Sequence, residues 1–442
     1  MPLILDPPLP PHEVCPSSNA GDQNEAEPVI EALVNEEGMI AGAELPRWPA
    51  LFALWTQRRA ATKASAWGAA ASERYRKLLG NLLRFTRADG SLAFDDLQPA
   101  ESRASARARR SAVVDVWQAA WPYADAEQRL AIAALFPETA KNAKAAASAR
   151  KKTAELAEPA AHSEAAALAI MRPTWSPREM LAIDYRGRQM RSELICSGQV
   201  LWSGACNPQL SLDGRQLSPI SDWEQLCWVS DDDADYLELQ LELSEGVRVQ
   251  RQWLLTREDR FLFAADAIMA ERPANIDYRL TLPLVEDVGF SPATETQEGF
   301  LTGSNARRQA HLLPLGLNEW RGDAAKGELA MGERGLDLRL AARSARALYA
   351  PLFVGLTSRR FSRPVTWRQL TVAENRVIEP SDVAVGYRVQ IGREQWLFYR
   401  SLGPCGNRTL LGQNLVSEFL AARFGRTGIV ETLMEIEDSA DE

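Results

Sequence analysis

The sequence predicts an α+β protein with two main parts, a small helical N-terminal domain followed by a large antiparallel β-supersandwich. Two patterns along the chain support this prediction. Apolar residues recur at three- and four-residue spacing up to about residue 138, which is typical of amphipathic helices. From Trp175 onward they alternate with polar residues, which is typical of half-buried strands. A chain of 442 residues, 46% of them apolar, is long enough for two or three folded domains.

The helical domain is predicted to span residues 45–138. Helical spacing gathers one apolar stripe on a single helix face: Tyr75, Leu78, Leu79, Leu82 and Phe85. A second stripe follows: Val113, Val114, Trp117 and Trp121. Asp125 and Gln128 have the spacing of a capping box, which predicts the start of another helix that continues to Leu135. We therefore expect a small helical core, which would include Trp48, Trp55 and Trp67.

Two further segments are predicted to lack a core of their own. Residues 1–44 are rich in Pro and acidic residues and poor in aromatic ones, which predicts a disordered acidic tail. Residues 139–172 form an Ala-rich segment, with 14 alanines among residues 139–171. Alanine favours helix but provides almost no face to bury, so we expect an exposed helical linker.

The β-sandwich domain is predicted to span residues 173–437. Leucines alternate with Glu and Gln over residues 237–243, and short turns lead into predicted strands at 247–255 and 261–268. Further strands are predicted at residues 193–196, 225–229, 278–282, 336–340, 366–372, 387–391, 396–400 and 429–436. Many strands without intervening helices are typical of a sandwich of two antiparallel sheets.

The charge is unevenly distributed along the chain. Residues 1–46 contain nine acidic and no basic side chains, which equals the net charge of −9. Residues 47–172 have 20 basic and 12 acidic side chains, whereas residues 173–442 have 30 and 38. Such an asymmetry indicates either docking of the helical part on the β-part or an anionic partner for the helical part.

Several classes of protein are not favoured by the sequence. No apolar run is long enough to span a membrane, and no basic residue precedes position 47, so we expect a cytoplasmic protein without a membrane partner. The five cysteines are scattered without a CxxC pair, which predicts reduced thiols. His12, His162 and His311 lack metal-ligand spacing, and no phosphate-binding glycine motif occurs. We therefore expect no metal site, no cofactor and no nucleotide partner.

A basic run lies in the helical part and has two interpretations. It consists of Arg103, Arg107, Arg109 and Arg110. Such a run is either a solvated helix face or a contact for nucleic acid. Because no nucleic-acid-binding motif accompanies it, the sequence does not favour a nucleic-acid partner. It does not indicate an oligomeric state either.

Two consecutive predicted strands resemble a known family. Residues 247–255 read VRVQRQWLL, and residues 259–266 read DRFLFAAD. They are similar to the β-sandwich of heparinase II/III-like polysaccharide lyases, in which an Arg-bearing strand pairs with an "xYxLVxD" strand. The resemblance covers the β-half only, including a similar pattern over residues 411–437. It implies a helical toroid before the sandwich and an anionic, uronate-containing polysaccharide as partner.

The resemblance implies two alternative functions. The helical part is much shorter than the toroid of the family and contains no histidine before His162. This favours a non-catalytic or degenerate heparinase II/III-like protein with a carbohydrate-binding or scaffold role. The alternative is a polysaccharide lyase that acts on uronate-containing glycans by β-elimination.

Six residues are candidates for these functions. Lyase chemistry needs a cation near the uronate carboxylate and groups that transfer the C5 proton, which Arg308, His311 and Tyr399 would provide if they converge. Carbohydrate-binding candidates are Trp320, Trp202 and Arg307. The structural alternative for these residues is a polar edge strand with an incidental histidine, together with core tryptophans.

Overall fold

The structure is a computed structural model that describes residues 26–40, 47–61, 67–95, 103–139, 158–303, 306–322, 326–425 and 428–437. The N-terminal part is helical, and the larger C-terminal part is almost entirely antiparallel β-structure. The predicted fold class, a helical domain followed by an antiparallel β-supersandwich, is confirmed. Within the described ranges, no helix combines the length and apolar character that a membrane span requires.

The helical part packs around the apolar stripe that the sequence predicted. Its helices are α1 (Ala26–Leu33), α2 (Trp48–Ala61), α3 (Ala69–Phe85), α4 (Arg103–Ala120) and α5 (Ala126–Leu135). On α3, Tyr75, Leu78 and Leu79 are fully buried. The predicted capping box starts α5: the Asp125 carboxylate accepts from the Gln128 backbone N–H at 2.8 Å, and the Gln128 side chain accepts from the Asp125 backbone N–H at 3.2 Å.

Part of the predicted acidic tail is folded. Residues 26–40 contain α1, and Ile30, Val34, Met39 and Ile40 are at most 1% exposed in the core of the helical part. The Asn81 side chain also donates to the backbone carbonyl of Gly38. The prediction of disorder is therefore wrong for residues 26–40, because four apolar residues among the acidic ones are enough to dock this segment. Residues 1–25 and 41–44 lie outside the described ranges.

The β-part contains 25 described strands. The first twelve are β1 (Ala161–Ser163), β2 (Leu168–Met171), β3 (Met180–Asp184), β4 (Arg191–Cys196), β5 (Gln199–Ala205), β6 (Pro208–Leu212), β7 (Arg215–Gln216), β8 (Glu224–Ser230), β9 (Ala234–Leu243), β10 (Val247–Thr256), β11 (Phe261–Leu282) and β12 (Gly289–Pro292). The others are β13 (Gly299–Thr302), β14 (Arg308–Pro314), β15 (Gly327–Gly332), β16 (Gly335–Gly355), β17 (Val365–Leu370), β18 (Val372–Glu374), β19 (Val377–Ile378), β20 (Ala384–Ile391), β21 (Glu394–Ser401), β22 (Arg408–Leu410), β23 (Gln413–Leu415), β24 (Phe419–Phe424) and β25 (Val430–Ile436).

These strands form four antiparallel sheets. The first sheet contains β1 to β5 in sequence order. The large sheet has the order β12-β13-β14-β16-β11-β10-β9-β8, with β15 paired to β16 and β6 paired to both β11 and β7. The third sheet has the order β17-β20-β21-β24-β25, and the fourth has the order β19-β18-β22-β23. The prediction of two sheets is therefore wrong, since the described strands form four. The sequence pattern of a strand does not reveal which sheet the strand joins.

The large sheet is the central layer of the molecule. One of its faces packs on the first sheet and the other on the third sheet. On β10, for example, Val249 and Trp253 face the first sheet, whereas Leu254 faces the third. The fourth sheet covers the outer face of the third. On the other side, the outer face of the first sheet shares one apolar core with the helices. The layers therefore follow one another from the helices to the fourth sheet.

The predicted helical linker is wrong for the last part of its range. Residues 161–163 and 168–171 form β1 and β2, and Leu168, Ile170 and Met171 have no exposed surface. Ile170 packs against the helices and Met171 against the large sheet, so both faces of β2 are buried. This two-sided burial overrides the helical propensity of the alanines nearby. Residues 140–157 lie outside the described ranges, and the other domain boundaries stay predictions.

The two longest strands, β11 and β16, extend through the whole large sheet. They pair from Phe261↔Gly355 to Leu282↔Leu336, with irregular register between Met269 and Ile276. Their paired ends therefore lie at opposite ends of the large sheet. A groove is present near each of these ends.

Candidate functional site

His311 is a buried residue of β14. Its ring stacks on Phe300 with 4.1 Å between the ring centroids and 13° between the planes, and only 3% of its surface is exposed. Neither ring nitrogen has a hydrogen-bond partner among the described residues. Burial, followed by the positive charge of Arg308, lowers the pKa of His311 to about 4. The ring is therefore neutral at pH 7 and is shielded from any ligand in solution.

Arg307 lies in the exposed turn before β14, and Arg308 is the exposed first residue of β14. The Arg308 guanidinium lies over the Phe300 ring at 3.9 Å and donates to the backbone carbonyl of Phe361 at 3.1 Å. Both Arg308 and His311 thus contact Phe300, so these two predicted site residues are neighbours. The loop that contains Phe361 follows β16.

Tyr399 does not join them. On β21, Trp396 and Phe398 face the large sheet, whereas Tyr399 faces the fourth sheet. Its hydroxyl accepts from Arg408 at 3.1 Å, and burial raises its pKa. Because His311 belongs to the large sheet, the third sheet separates the two residues. Arg308, His311 and Tyr399 therefore do not form one site.

The two candidate tryptophans have different environments. Trp202 is 1% exposed, and its indole N–H donates to the Ser192 hydroxyl at 3.1 Å, so it is part of the core. Trp320 is 60% exposed on the segment between β14 and β15 and pairs with Thr296. Only Trp320 therefore has a free face on which a sugar ring can stack.

A groove of 850 Å³ lies near the β4–β5, β8–β9 and β10–β11 turns and the end of β16. Its cationic lining consists of Arg178, Arg257, Arg260 and Arg359, and we call it the arginine groove. Its anionic lining consists of Glu158, Glu179, Asp232 and Glu258, and Trp175 also lines it. Because turns of two sheets meet here, residues far apart in the sequence share one surface.

The arginines of the groove differ in their partners. Arg257 bonds to Asp235 at 2.9 Å, and Arg260 bonds to Glu179 at 2.7 Å. Arg178 and Arg359 are exposed, and neither forms a salt bridge with the described residues. Their charges are therefore available to a ligand. The carboxylates of the groove reduce its positive potential, but none of them lies within salt-bridge distance of Arg178 or Arg359.

The cationic surface continues beyond the groove along the loop that follows β16. Arg360 holds Glu394 with two bonds of 2.7 Å and, with Arg359 and Arg363 nearby, lowers the pKa of Glu394. Arg308 contacts the same loop through the carbonyl of Phe361. A ligand in the arginine groove would therefore meet further arginines next to Arg359.

Asp235 is a buried carboxyl group next to the groove. It has no exposed surface, and burial raises its pKa to about 6 although Arg257 and the Ser230 hydroxyl favour its charged form. It also accepts from the backbone N–H of Arg172 at 3.2 Å. Asp235 holds Arg257 in place and is not itself accessible to a ligand.

A second histidine has a tyrosine partner that the sequence analysis missed. His162 lies on β1, its Nε2 is 2.8 Å from the Tyr185 hydroxyl, and its ring stacks with Trp228 at 5.1 Å. Burial lowers the pKa of His162 to about 4 and raises that of Tyr185. No sequence signal could reveal this pair, because it depends on the pairing of β1 with β2 and of β2 with β3.

The residues behind the family resemblance form a buried ion pair. Arg251 on β10 and Asp266 on β11 are opposite each other and share two bonds of 2.6 Å. The Tyr278 hydroxyl donates to the same carboxylate at 2.7 Å. With 2% and 1% of the side chains exposed, this pair belongs to the core of the large sheet. In the described part of the chain, no group of three His, Cys, Asp or Glu residues is arranged to hold a metal ion.

Solved structures with a similar fold include polysaccharide lyases. The chain is similar to heparan sulfate lyase HepC from Pedobacter heparinus, with a TM-score of 0.59, 12% identity, and 86% of this chain and 61% of that chain covered. It is similar to a heparinase III gene product, with a TM-score of 0.57, 10% identity, and 86% and 60% covered. A further heparinase III structure has a TM-score of 0.54, 10% identity, and 85% and 62% covered.

Sequence comparisons add no relative to these structures. No protein-family model matches the chain, and no curated protein sequence matches it. The chain spans about three fifths of the length of the lyases whose structures it resembles. The resemblance to heparinase II/III-like proteins, first noted in the β10–β11 pair, is confirmed at the level of structure: the chain has a heparinase III-like fold.

Proposed function

We propose that the chain binds an anionic, uronate-containing polysaccharide in the arginine groove without cleaving it. The observation that carries this proposal is the pair of exposed arginines, Arg178 and Arg359, whose guanidinium groups lack a salt-bridge partner among the described residues. A guanidinium group presents paired N–H donors that match a carboxylate or sulfate. Two of them on one groove are suited to a repeating anionic chain.

The rest of the groove supports the same class of ligand. Arg260 and Arg257 are held by Glu179 and Asp235, which orients them without removing them from the groove surface. Trp175 also lines the groove, with 5% of its surface exposed. The likeness to heparan sulfate lyase and heparinase III structures supports a polysaccharide ligand, although it concerns the fold.

Binding without cleavage is supported by the chemistry of the groove. β-Elimination needs a group that removes the C5 proton and a group that protonates the leaving oxygen. The described residues that line the groove include no histidine and no tyrosine. His311 is buried on β14, and His162 pairs with Tyr185 elsewhere on the first sheet. The Glu179 carboxylate is already held by Arg260 in an ion pair of 2.7 Å.

The first prediction tests the groove with a double variant. Arg178→Gln combined with Arg359→Gln should weaken binding of heparan sulfate or alginate about tenfold, since each exposed ionic contact is worth up to ~1 kcal/mol. Binding of the unmodified chain should weaken as salt rises. Calorimetric titration at low and high salt measures both effects.

The matched control is Arg334→Gln. Arg334 is exposed in the turn between β15 and β16 and does not line the arginine groove. This variant should bind like the unmodified chain. The proposal would be contradicted if the double variant and the control bound with equal affinity, or if no uronate glycan bound at all. A scaffold role would then be the remaining interpretation.

The alternative function, a polysaccharide lyase, is favoured by one specific observation. The His162–Tyr185 pair combines two groups able to transfer a proton, at 2.8 Å from each other. If the chain were a lyase, it would release unsaturated uronate products that absorb ultraviolet light. Product formation that is lost in His162→Ala and kept in His311→Phe would support lyase activity and contradict the non-catalytic proposal.

A further inference from the structure

We propose that a second groove, at the other end of β11 and β16, binds a neutral oligosaccharide. It has a volume of 710 Å³ and lies over β6, β11, β16 and β15. Residues 216, 297 and 321–322 line the rest of it. This volume is within the usual range for small-ligand sites, about 300 to 1,000 Å³. We call it the glutamine groove.

The floor of the groove is one polar face of a four-stranded region. The register places Gln209, Arg279, Arg339 and Glu328 opposite one another on β6, β11, β16 and β15. Ser211 and Asp277 form the next row in the same way. Residues opposite each other on neighbouring strands point to the same side of a sheet. The floor therefore offers rows of hydrogen-bond donors and acceptors to a ligand that lies across the strands.

The charges of this floor are already paired within the protein. Asp337 is 1% exposed and bonds to Arg279 at 2.7 Å and to Arg339 at 3.1 Å. Arg339 also bonds to Glu328 at 3.0 Å, and Asp277 bonds to Arg343 at 2.7 Å. A charged ligand would have to compete with these partners. A neutral polyhydroxylated ligand can instead add hydrogen bonds to the lone pairs and N–H groups that remain free.

Gln297 provides an independent sign of a ligand. It lines the groove, only 6% of its surface is exposed, and its side-chain carbonyl oxygen has no hydrogen-bond partner among the described residues. A buried polar atom without a partner is costly, so such atoms are rare in folded proteins. Rotation of the Gln297 amide toward the groove would let a sugar hydroxyl donate to this oxygen and satisfy it.

Local pairing holds Gln297 and the opposite segment rigidly in the wall. The backbone N–H of Gln297 donates to the backbone carbonyl of Glu319 at 2.9 Å, and the Arg321 Nε donates to the Thr296 carbonyl at 2.8 Å. Trp320, on the same segment, is 60% exposed and lines an adjoining cavity of 310 Å³. A longer oligosaccharide could extend from the groove toward this indole, which has an apolar face for stacking.

The glutamine groove is separate from the arginine groove. The former lies over Tyr278 and Leu340, and the latter is next to Arg260 and Leu356. At ~3.3 Å per residue, the β11 strand between Arg260 and Tyr278 is up to about 60 Å long. The inference does not depend on the proposed function, since the two sites differ in place and in ligand charge.

The test uses an array of neutral and uronate-containing oligosaccharides, followed by calorimetric titration of the full chain with the best neutral ligand. We expect binding that is nearly unchanged between low and high salt. Gln297→Met should weaken it at least tenfold without lowering Tm, because the substitution removes a buried oxygen that has no hydrogen-bond partner among the described residues. Arg321→Ala should also weaken it.

Two controls keep the outcome interpretable. Gln413→Met on β23 changes the same residue type in a different sheet and should leave binding unchanged. The Arg178→Gln, Arg359→Gln variant should also bind the neutral ligand normally. The inference is overturned if no neutral oligosaccharide binds, if binding survives both Gln297→Met and Arg321→Ala, or if binding falls with salt and in the double arginine variant.

Discussion

The environment of His311 could not be predicted from its residue type or from its neighbours in the sequence. Its sequence neighbours, Arg307 and Arg308, are exposed, whereas the register of β14 with β13 and β16 turns His311 onto Phe300 and Gly355. The ring is therefore stacked and almost fully buried, and neither nitrogen has a hydrogen-bond partner in the described part of the chain. A histidine in this environment acts as an aromatic core residue whose protonation costs stability.

The pH dependence of stability should reveal this burial. The pKa of His311 is lowered to about 4 in the folded chain, against ~6.5 in the unfolded chain. Its neutral form therefore contributes stability above pH ~6.5, and this contribution is lost as the pH falls toward 4. His311→Phe should remove the loss, so its free energy of unfolding relative to the unmodified chain should improve by about 2–3 kcal/mol between pH 7.5 and pH 4.5.

Urea unfolding of both proteins at the two pH values measures this difference. Any constant packing effect of the larger phenyl ring cancels, because it is present at both pH values. His162 remains in both proteins, so its own lowered pKa cancels as well. An equal difference at both pH values would show that the pKa of His311 is not lowered.

At the scale of single elements, β2 shows where helical propensity loses to burial. Its sequence, Leu-Ala-Ile-Met, follows an Ala-rich segment and contains no strand-like alternation. All four residues are nevertheless buried, because β2 lies between β1 and β3 and between the helices and the large sheet. A strand buried on both faces loses the period of two by which half-buried strands are recognised.

A matched pair of isoleucine variants tests the burial of β2. Ile170 has no exposed surface, whereas Ile220 is 60% exposed. Ile170→Ala should lower the free energy of unfolding by about 2–5 kcal/mol, because it leaves a cavity between the first sheet and the helices. Ile220→Ala should change it by less than ~0.5 kcal/mol. If urea unfolding gave similar small effects for both, an exposed linker at residue 170 would be the better description.

For the whole molecule, the contact between the helical part and the first sheet shows whether docking depends on the opposite net charges of the two parts. This contact is an apolar core that includes Leu168, Ile170 and Met180. One buried ion pair crosses it: Arg87 donates to Glu193 with bonds of 2.7 and 2.6 Å. Glu193 also accepts from Ser203 and from the backbone of Phe94. Among the described residues, the parts thus dock through apolar packing, this ion pair and hydrogen bonds such as those from Arg172 to the Leu83 and Arg84 carbonyls. Such docking does not require opposite net charge.

The effect of salt separates this pair from surface pairs. Arg87→Ala should lower the free energy of unfolding by about 3–5 kcal/mol, because it leaves the Glu193 charge buried without its partner. The effect should be nearly the same at low and high salt, since buried pairs are weakly screened. Arg76→Ala breaks an exposed pair with Glu73 and should cost at most ~1 kcal/mol, less at high salt.

Urea is the suitable denaturant for these measurements, because guanidinium chloride would itself screen the charges. A loss for Arg87→Ala that is as small and as salt-sensitive as that of Arg76→Ala would contradict a buried interface pair. In that case the docking of the helical part would depend mainly on net charge.

The sequence by itself determined the order of the parts, many of the strands and the capping box of α5. These features depend on neighbours within a few residues, such as Asp125 with Gln128 or the alternating leucines of β9. The resemblance of the β10 and β11 sequences to heparinase II/III-like proteins also indicated the sandwich, and the structure places Arg251 opposite Asp266 in this hairpin.

Only the tertiary structure decided which residues share a surface. The arginine groove combines turns from two sheets, the glutamine groove combines four strands with the segment around Gln297, and His162 meets Tyr185 through two strand pairings. The same long-range pairing separates Tyr399 from His311 and buries Trp202. Local sequence patterns report which face of an element is apolar, whereas a site depends on which faces the sheets bring together.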